Sequence, residues 1–158
     1  MSESTKINFH HRKIRQISDY AEFIEMLFPH NQNQQYAAAC IFFELKWAKD
    51  MVPNLAYIER KFNISRRILQ RTRAKLSRLG LVEHISYLNN RYGDKHGWRL
   101  SSRFECALNQ LAHKFAGFKD TEIGSKEKDL MLVRFADARR NTVNYKSANI
   151  SDEVIKDE

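Results

Sequence analysis

Five glycines and two prolines in 158 residues leave the chain few places to turn sharply. Those residues punctuate the short strands of all-β folds, so their scarcity argues against a sandwich or barrel and for long helical runs. The two cysteines, Cys40 and Cys106, stand far apart with no second thiol nearby. Disulfide frameworks and zinc sites need closely spaced ligands; both thiols are therefore expected to be buried, with no metal and no cofactor. The six histidines are scattered apart from His10 and His11, and give no ligand spacing. No stretch approaches the roughly 20 uninterrupted apolar residues of a membrane span. The first residues, Met1 to Lys6, carry no apolar core of the kind found in a signal peptide, so the expected location is cytoplasmic.

Catalytic signatures are missing as well. There is no Gly-rich phosphate loop, no Gly-x-Ser-x-Gly elbow, no His-Glu-x-x-His and no zinc-deaminase pattern, and an enzyme is not expected. What is present is charge, unevenly placed. Of 27 basic and 19 acidic residues, the segment 55–103 holds twelve basic against three acidic, whereas residues 1–54 balance at six each and residues 104–158 hold nine against ten. The net charge of +8 thus resides in one third of the chain. A charge serving solubility would be spread out; concentrated positive charge is the electrostatic footprint of a phosphate-bearing partner.

Its centre is the stretch from Ser65 to Leu79, followed by Gly80-Leu81-Val82. At about 100° per residue, Ile68, Leu69, Thr72, Leu76 and Leu79 form one apolar sector, while Arg67, Gln70, Ala74 and Ser77 point the opposite way. Arg66 and Arg73 flank that outer face on one side and Arg71 and Arg78 on the other. Solvated helix faces mix signs, because like charges four apart repel. An all-cationic face with a small residue at its middle therefore suggests an anionic partner.

Amphipathic helices surround this one. Residues 1–16 are polar and basic and read as a loose arm. Asp19 and Glu22 offer a capping box, and Tyr20, Phe23, Ile24, Leu27 and Phe28 make an apolar stripe ending at Pro29. Residues 34–49 form a helix apolar over most of its surface, with Tyr36, Cys40, Phe43 and Trp47 on one side and Ala37, Ile41 and Ala48 widening the band. A helix apolar nearly all round is buried, which makes this one the support of the domain. Asn54 caps a short helix over 55–62, and Asn63-Ile64-Ser65 makes a tight turn in which Asn tolerates left-handed angles and Ser65 caps the cationic helix. Further on, 103–115 is helical with Phe104, Ala107, Leu108, Leu111 and Phe115 at helical spacing, expected to pack back on the buried helix. Residues 126–140 form a last helix bearing Met131, Leu132, Phe135 and Ala138.

Residues 55–83 resemble the winged helix-turn-helix of bacterial and archaeal transcription regulators. The resemblance rests on Leu55 and Ile58 in the first helix, the Ile64-Ser65 turn, Leu76 and Leu79, and the closing Gly80-Leu81-Val82, all without gaps. Ile58 stands where the family often has Ala, and Asn63 where it usually has Gly. The resemblance implies a β-hairpin wing after the recognition helix. Residues 81–88 are rich in strand formers, 89–97 make a turn-rich loop with Arg91, Tyr92 and Lys95, and 98–101 read as the returning strand.

The expected fold is therefore mainly α with a small β-hairpin, a winged helix-turn-helix with flanking helices. Residues 1–30 would be an arm and amphipathic helix, 31–116 the winged domain, 117–140 a linker and C-terminal helix, and 141–158 a disordered tail. The expected function is sequence-specific binding of double-stranded DNA in transcription regulation. In the major groove, Arg66 and Arg67 suit guanine O6 and N7 and Gln70 suits adenine N6 and N7, while Ala74 permits close approach. Lys61, Arg71, Arg73, Arg78, Arg91 and Lys95 suit phosphates, Ser65 can cap and bond a phosphate at once, and Tyr92 is either an inserted side chain or a turn residue. About six neutralised phosphates would give a slope near −5 for log affinity against log salt. A homodimer through 17–28 and 126–140 is expected. The competing readings are a replication, plasmid-maintenance or phage accessory protein, and a protein-interaction module for an acidic partner.

Overall fold

The computed structural model describes residues 6–86, 93, 95–122 and 125–154, with side chains described as far as residue 142. Among them are seven helices, α1 (His11–Gln16), α2 (Tyr20–Leu27), α3 (Gln32–Trp47), α4 (Tyr57–Lys61), α5 (Arg66–Leu79), α6 (Arg103–Lys119) and α7 (Lys126–Val154), and two strands, β1 (Val82–Ile85) and β2 (Gly97–Leu100). The layout is mainly α with one small antiparallel hairpin. The chain divides into two compact units, Met1–Leu108 and Asn109–Glu158. Among the described residues no helix is long and apolar enough to cross a membrane.

The core of the first unit lies between α2, α3 and α5. Asp19 caps α2 by accepting from the Glu22 amide at 2.9 Å, and the Glu22 carboxylate reaches back to accept from the Ser18 amide at 2.8 Å. This fixes the phase of the stripe, and Ile24, Leu27 and Phe28 enter the core. The stripe expected to serve a second subunit is thus occupied by the chain's own interior. Asn31 caps α3 through the Gln34 amide. The buried face of α3 is its small and aliphatic one, Ala37, Ala38, Cys40, Ile41 and Leu45. The aromatic side expected to line the core faces outward instead, with Tyr36, Phe43 and Trp47 exposed. Small residues allow neighbouring helix backbones to approach, and they decide which side of α3 is covered.

Asn54 accepts from the Ala56 amide at 2.7 Å and starts the turn leading into α4. At the end of α4 Asn63 has φ +53°. The Ile64 amide donates to the Glu59 carbonyl at 2.9 Å and the Phe62 amide to that of Ile58, a closure that needs one left-handed residue. Asn63 fills the place a glycine often takes. Ser65 then accepts from the Ile68 amide and opens α5. The same closure ends α5, where Gly80 has φ +84° and the Leu81 amide donates to the Leu76 carbonyl. A Cβ on Gly80 would also lie 2.9 Å from Arg103 Cβ.

The hairpin follows at once, pairing Val82 with Leu100 and Ile85 with Gly97. On its other edge Trp98 exchanges both backbone hydrogen bonds with Val52, at 2.7 and 2.9 Å. A Cβ on Gly97 would stand 2.5 Å from the Val52 oxygen, so this edge closes only around a glycine.

Three further expectations are corrected. The N-terminal arm is held down: α1 forms within it, and the Asn8 amide donates to the Met26 carbonyl at 2.9 Å. α7 continues past Arg140 as far as Val154, where a disordered tail was expected. No residue of α6 is buried, and Cys106 on it is exposed, unlike the buried Cys40. The helix was expected to pack back on α3; its first turn instead meets α2, Phe104 packing edge-on against Phe23 at 5.6 Å.

Candidate nucleic-acid interface

α5 has a sharp division of faces. Leu69, Thr72, Lys75 and Leu76 are buried, with Ile68 and Leu79 half-buried beside them. Arg66, Arg67, Gln70, Arg71, Ala74, Ser77 and Arg78 are exposed. Ser65, at the head of the helix, is exposed as well. The apolar sector read from helical spacing is therefore the sector that docks, and the cationic one is the sector left outside. Among the described residues no carboxylate pairs with Arg66, Arg67 or Arg71. These three guanidinium groups are held by fixed α-helical geometry next to Gln70 and Ala74.

The other cations are engaged by the protein. Lys61 lies 2.6 Å from Glu44, whose other oxygen accepts from the Tyr57 hydroxyl at 2.8 Å. The Lys61 hydrogen bond holds the Glu44 carboxyl below its ordinary range. Burial first, then Glu44, pushes the Tyr57 hydroxyl up to about 12. Lys95 stands 3.2 Å from Asp50, whose carboxyl is lowered first by the Met51 amide and then by Lys95. Arg73 is half-buried, with its guanidinium 4.9 Å from the centre of the Trp98 ring. Such a cation over an indole contributes roughly 0.5–1 kcal/mol at an exposed site. Trp98 also meets the His84 ring at 5.0 Å. Arg73, Trp98 and His84 thus fasten the hairpin beside α5. Arg91 and Tyr92, expected at the hairpin tip, lie outside the described residues.

Sequence spacing does not reveal Lys75. The residue is only 5% exposed, and its ammonium donates to the Lys6 carbonyl at 3.0 Å and to the Leu27 carbonyl. It also sits 4.5 Å from the centre of the Phe28 ring. Removal from water pushes its pKa down, and Arg78 adds to that. Lys75 therefore ties the arm and the end of α2 to the underside of the cationic helix. The signal for it was faint: a lysine next to Leu76, on the margin of the apolar sector.

Glu83 on β1 is likewise covered, and accepts from Arg99 at 2.7 Å with Arg103 3.4 Å away. Both arginines are thereby committed to the hairpin's own charge balance. Three guanidinium groups and an amide on one helix are suited to planar or tetrahedral oxyanions and to the edges of bases. No family model, no curated protein and no solved structure matches the chain.

Proposed function

We propose that this protein is a winged-helix protein that binds double-stranded DNA with the outer face of α5 and regulates transcription. The observation that carries the reading is that face itself: Arg66, Arg67, Gln70 and Arg71 exposed together around the small Ala74, without a carboxylate among them. A helix of this kind fits the major groove, about 12 Å wide. Arg66, Arg67 and Gln70 read base edges there, while Arg71 and Arg78 meet phosphates. The element order supports the reading. A buried helix, a single bridging residue at Val52, a short helix, a tight turn, the cationic helix and a two-stranded hairpin succeed one another as in a winged helix. Regulation of transcription rests on the resemblance of residues 55–83 to regulators of that class.

Lys61 and Lys95 contribute less to this surface than spacing alone suggests, since each has a carboxylate neighbour. With Arg71 and Arg78 left to neutralise phosphates, log affinity for duplex DNA falls with log salt at a slope near −2. Fluorescence anisotropy of a labelled random duplex, titrated with the protein across a salt series, measures it. Absence of binding even at low salt would sink the reading and send the search to an acidic protein partner.

A further inference from the structure

We propose that α6 is the contact between two copies of this chain, which pair as antiparallel helices about a two-fold axis at Leu111. Phe104, Leu108, Leu111, Phe115 and Phe118 recur on α6 at alternating intervals of four and three. That repeat keeps one seam turned toward a partner helix. A helix using such a row inside its own domain has it covered. Here Leu108 is 42%, Leu111 62%, Phe115 59% and Phe118 77% exposed.

The occupant is a second copy because the row is complementary to itself when reversed. Turned end for end about Leu111, α6 sets Phe104 against the partner's Phe118 and Leu111 against the partner's Leu111, with Leu108 one residue from the level of the partner's Phe115. Glu105, beside one end of the seam, comes within two residues of the level of the partner's Lys119 on the same flank, and the two-fold axis repeats the pair. A parallel pairing would instead bring Lys114 beside the partner's Lys119, with like charges on the same flank. Among the described residues neither Glu105 nor Lys119 has an ion-pair partner within the chain. The area is sufficient. A phenylalanine buries roughly 200 Å², so these two Phe and two Leu, counted on both copies, remove on the order of 1,000 Å², the lower bound of a specific interface. The inference is independent of DNA binding and its test contains no DNA, so either reading can fail without the other.

Sedimentation equilibrium of the full chain at micromolar concentration tests it. The expected species has twice the 18.7 kDa of one chain. Leu111→Glu, at an exposed position, is expected to return the protein to a single chain with unchanged circular dichroism. Glu105→Lys is expected to weaken the dimer at least tenfold, and adding Lys119→Glu to restore it. A monomeric wild type, as would result if α7 covers the row, overturns the proposal, as does a dimer indifferent to Leu111→Glu. A double charge exchange that fails to restore pairing overturns the antiparallel order.

Discussion

Thr72 is fully buried in the docking face of α5, and among the described residues its hydroxyl has no hydrogen-bond partner. A buried polar group left unpaired costs about 1–3 kcal/mol. Thr72→Val keeps the shape and removes the hydroxyl, so it is expected to raise unfolding stability by about 1 kcal/mol, read from the midpoint of a urea titration. Glu44 works the other way. Its folded carboxyl titrates below its ordinary value of 4.5 because Lys61 bonds to it. The folded state therefore holds fewer protons than the unfolded state as pH drops below that value. The stabilisation is present above about pH 4.5 and is lost as pH falls through the depressed folded value. Glu44→Gln is expected to flatten this part of the acid-unfolding curve, and a variant curve parallel to wild type between pH 3 and 5 would refute the assignment. Lys61 is half exposed, so solvent screening keeps the effect small.

At the scale of elements, the joint between α5 and β1 determines how the cationic helix is held beside the hairpin. Gly80 serves it twice, by its left-handed backbone and by its contact with the start of α6, where the Phe104 amide donates to the Gly80 carbonyl at 3.0 Å. Left-handed backbone costs a residue with a Cβ roughly 1–2 kcal/mol, and the contact with Arg103 adds to it. Gly80→Ala is expected to lower stability by about 2 kcal/mol or more, measured by thermal unfolding; a change within experimental error would contradict the geometry described. Elements of this kind were legible in the sequence because their signals are local. Asp19, Asn54 and Ser65 each cap the helix or turn that follows, and the 3.6-residue period gives the docking face of α5 directly. The missed features depend on which distant segment arrives. Nothing in residues 34–49 says that Ala37 and Ala38, rather than Tyr36 and Trp47, meet α2 and α5. The arm looked unstructured because its anchor, Lys75, lies 69 residues away. The row on α6 was read correctly as apolar, but its period does not say whether the partner is the same chain.

At the scale of the whole molecule, each unit has its own exposed chemistry. In the first unit Arg66, Arg67 and Arg71 are exposed on α5, while Lys61, Lys95 and Arg99 pair with Glu44, Asp50 and Glu83. On α6 and α7 the exposed side chains include Leu111, Phe115, Phe118, Met131 and Phe135. The proposed contact with DNA is made by Arg66, Arg67 and Arg71 on α5, none of which pairs with a carboxylate among the described residues. The decisive measurement compares wild type with the variant Arg66→Ala, Arg67→Ala, Arg71→Ala by anisotropy of one labelled duplex across a salt series. All three side chains are exposed, so the variant retains the fold, and circular dichroism checks this. Loss of two base contacts and one phosphate contact predicts affinity lower by roughly a hundredfold or more and a salt slope smaller by about 1. Binding by the folded variant that equals wild type, with the same slope, would contradict the claim and move the contact off α5.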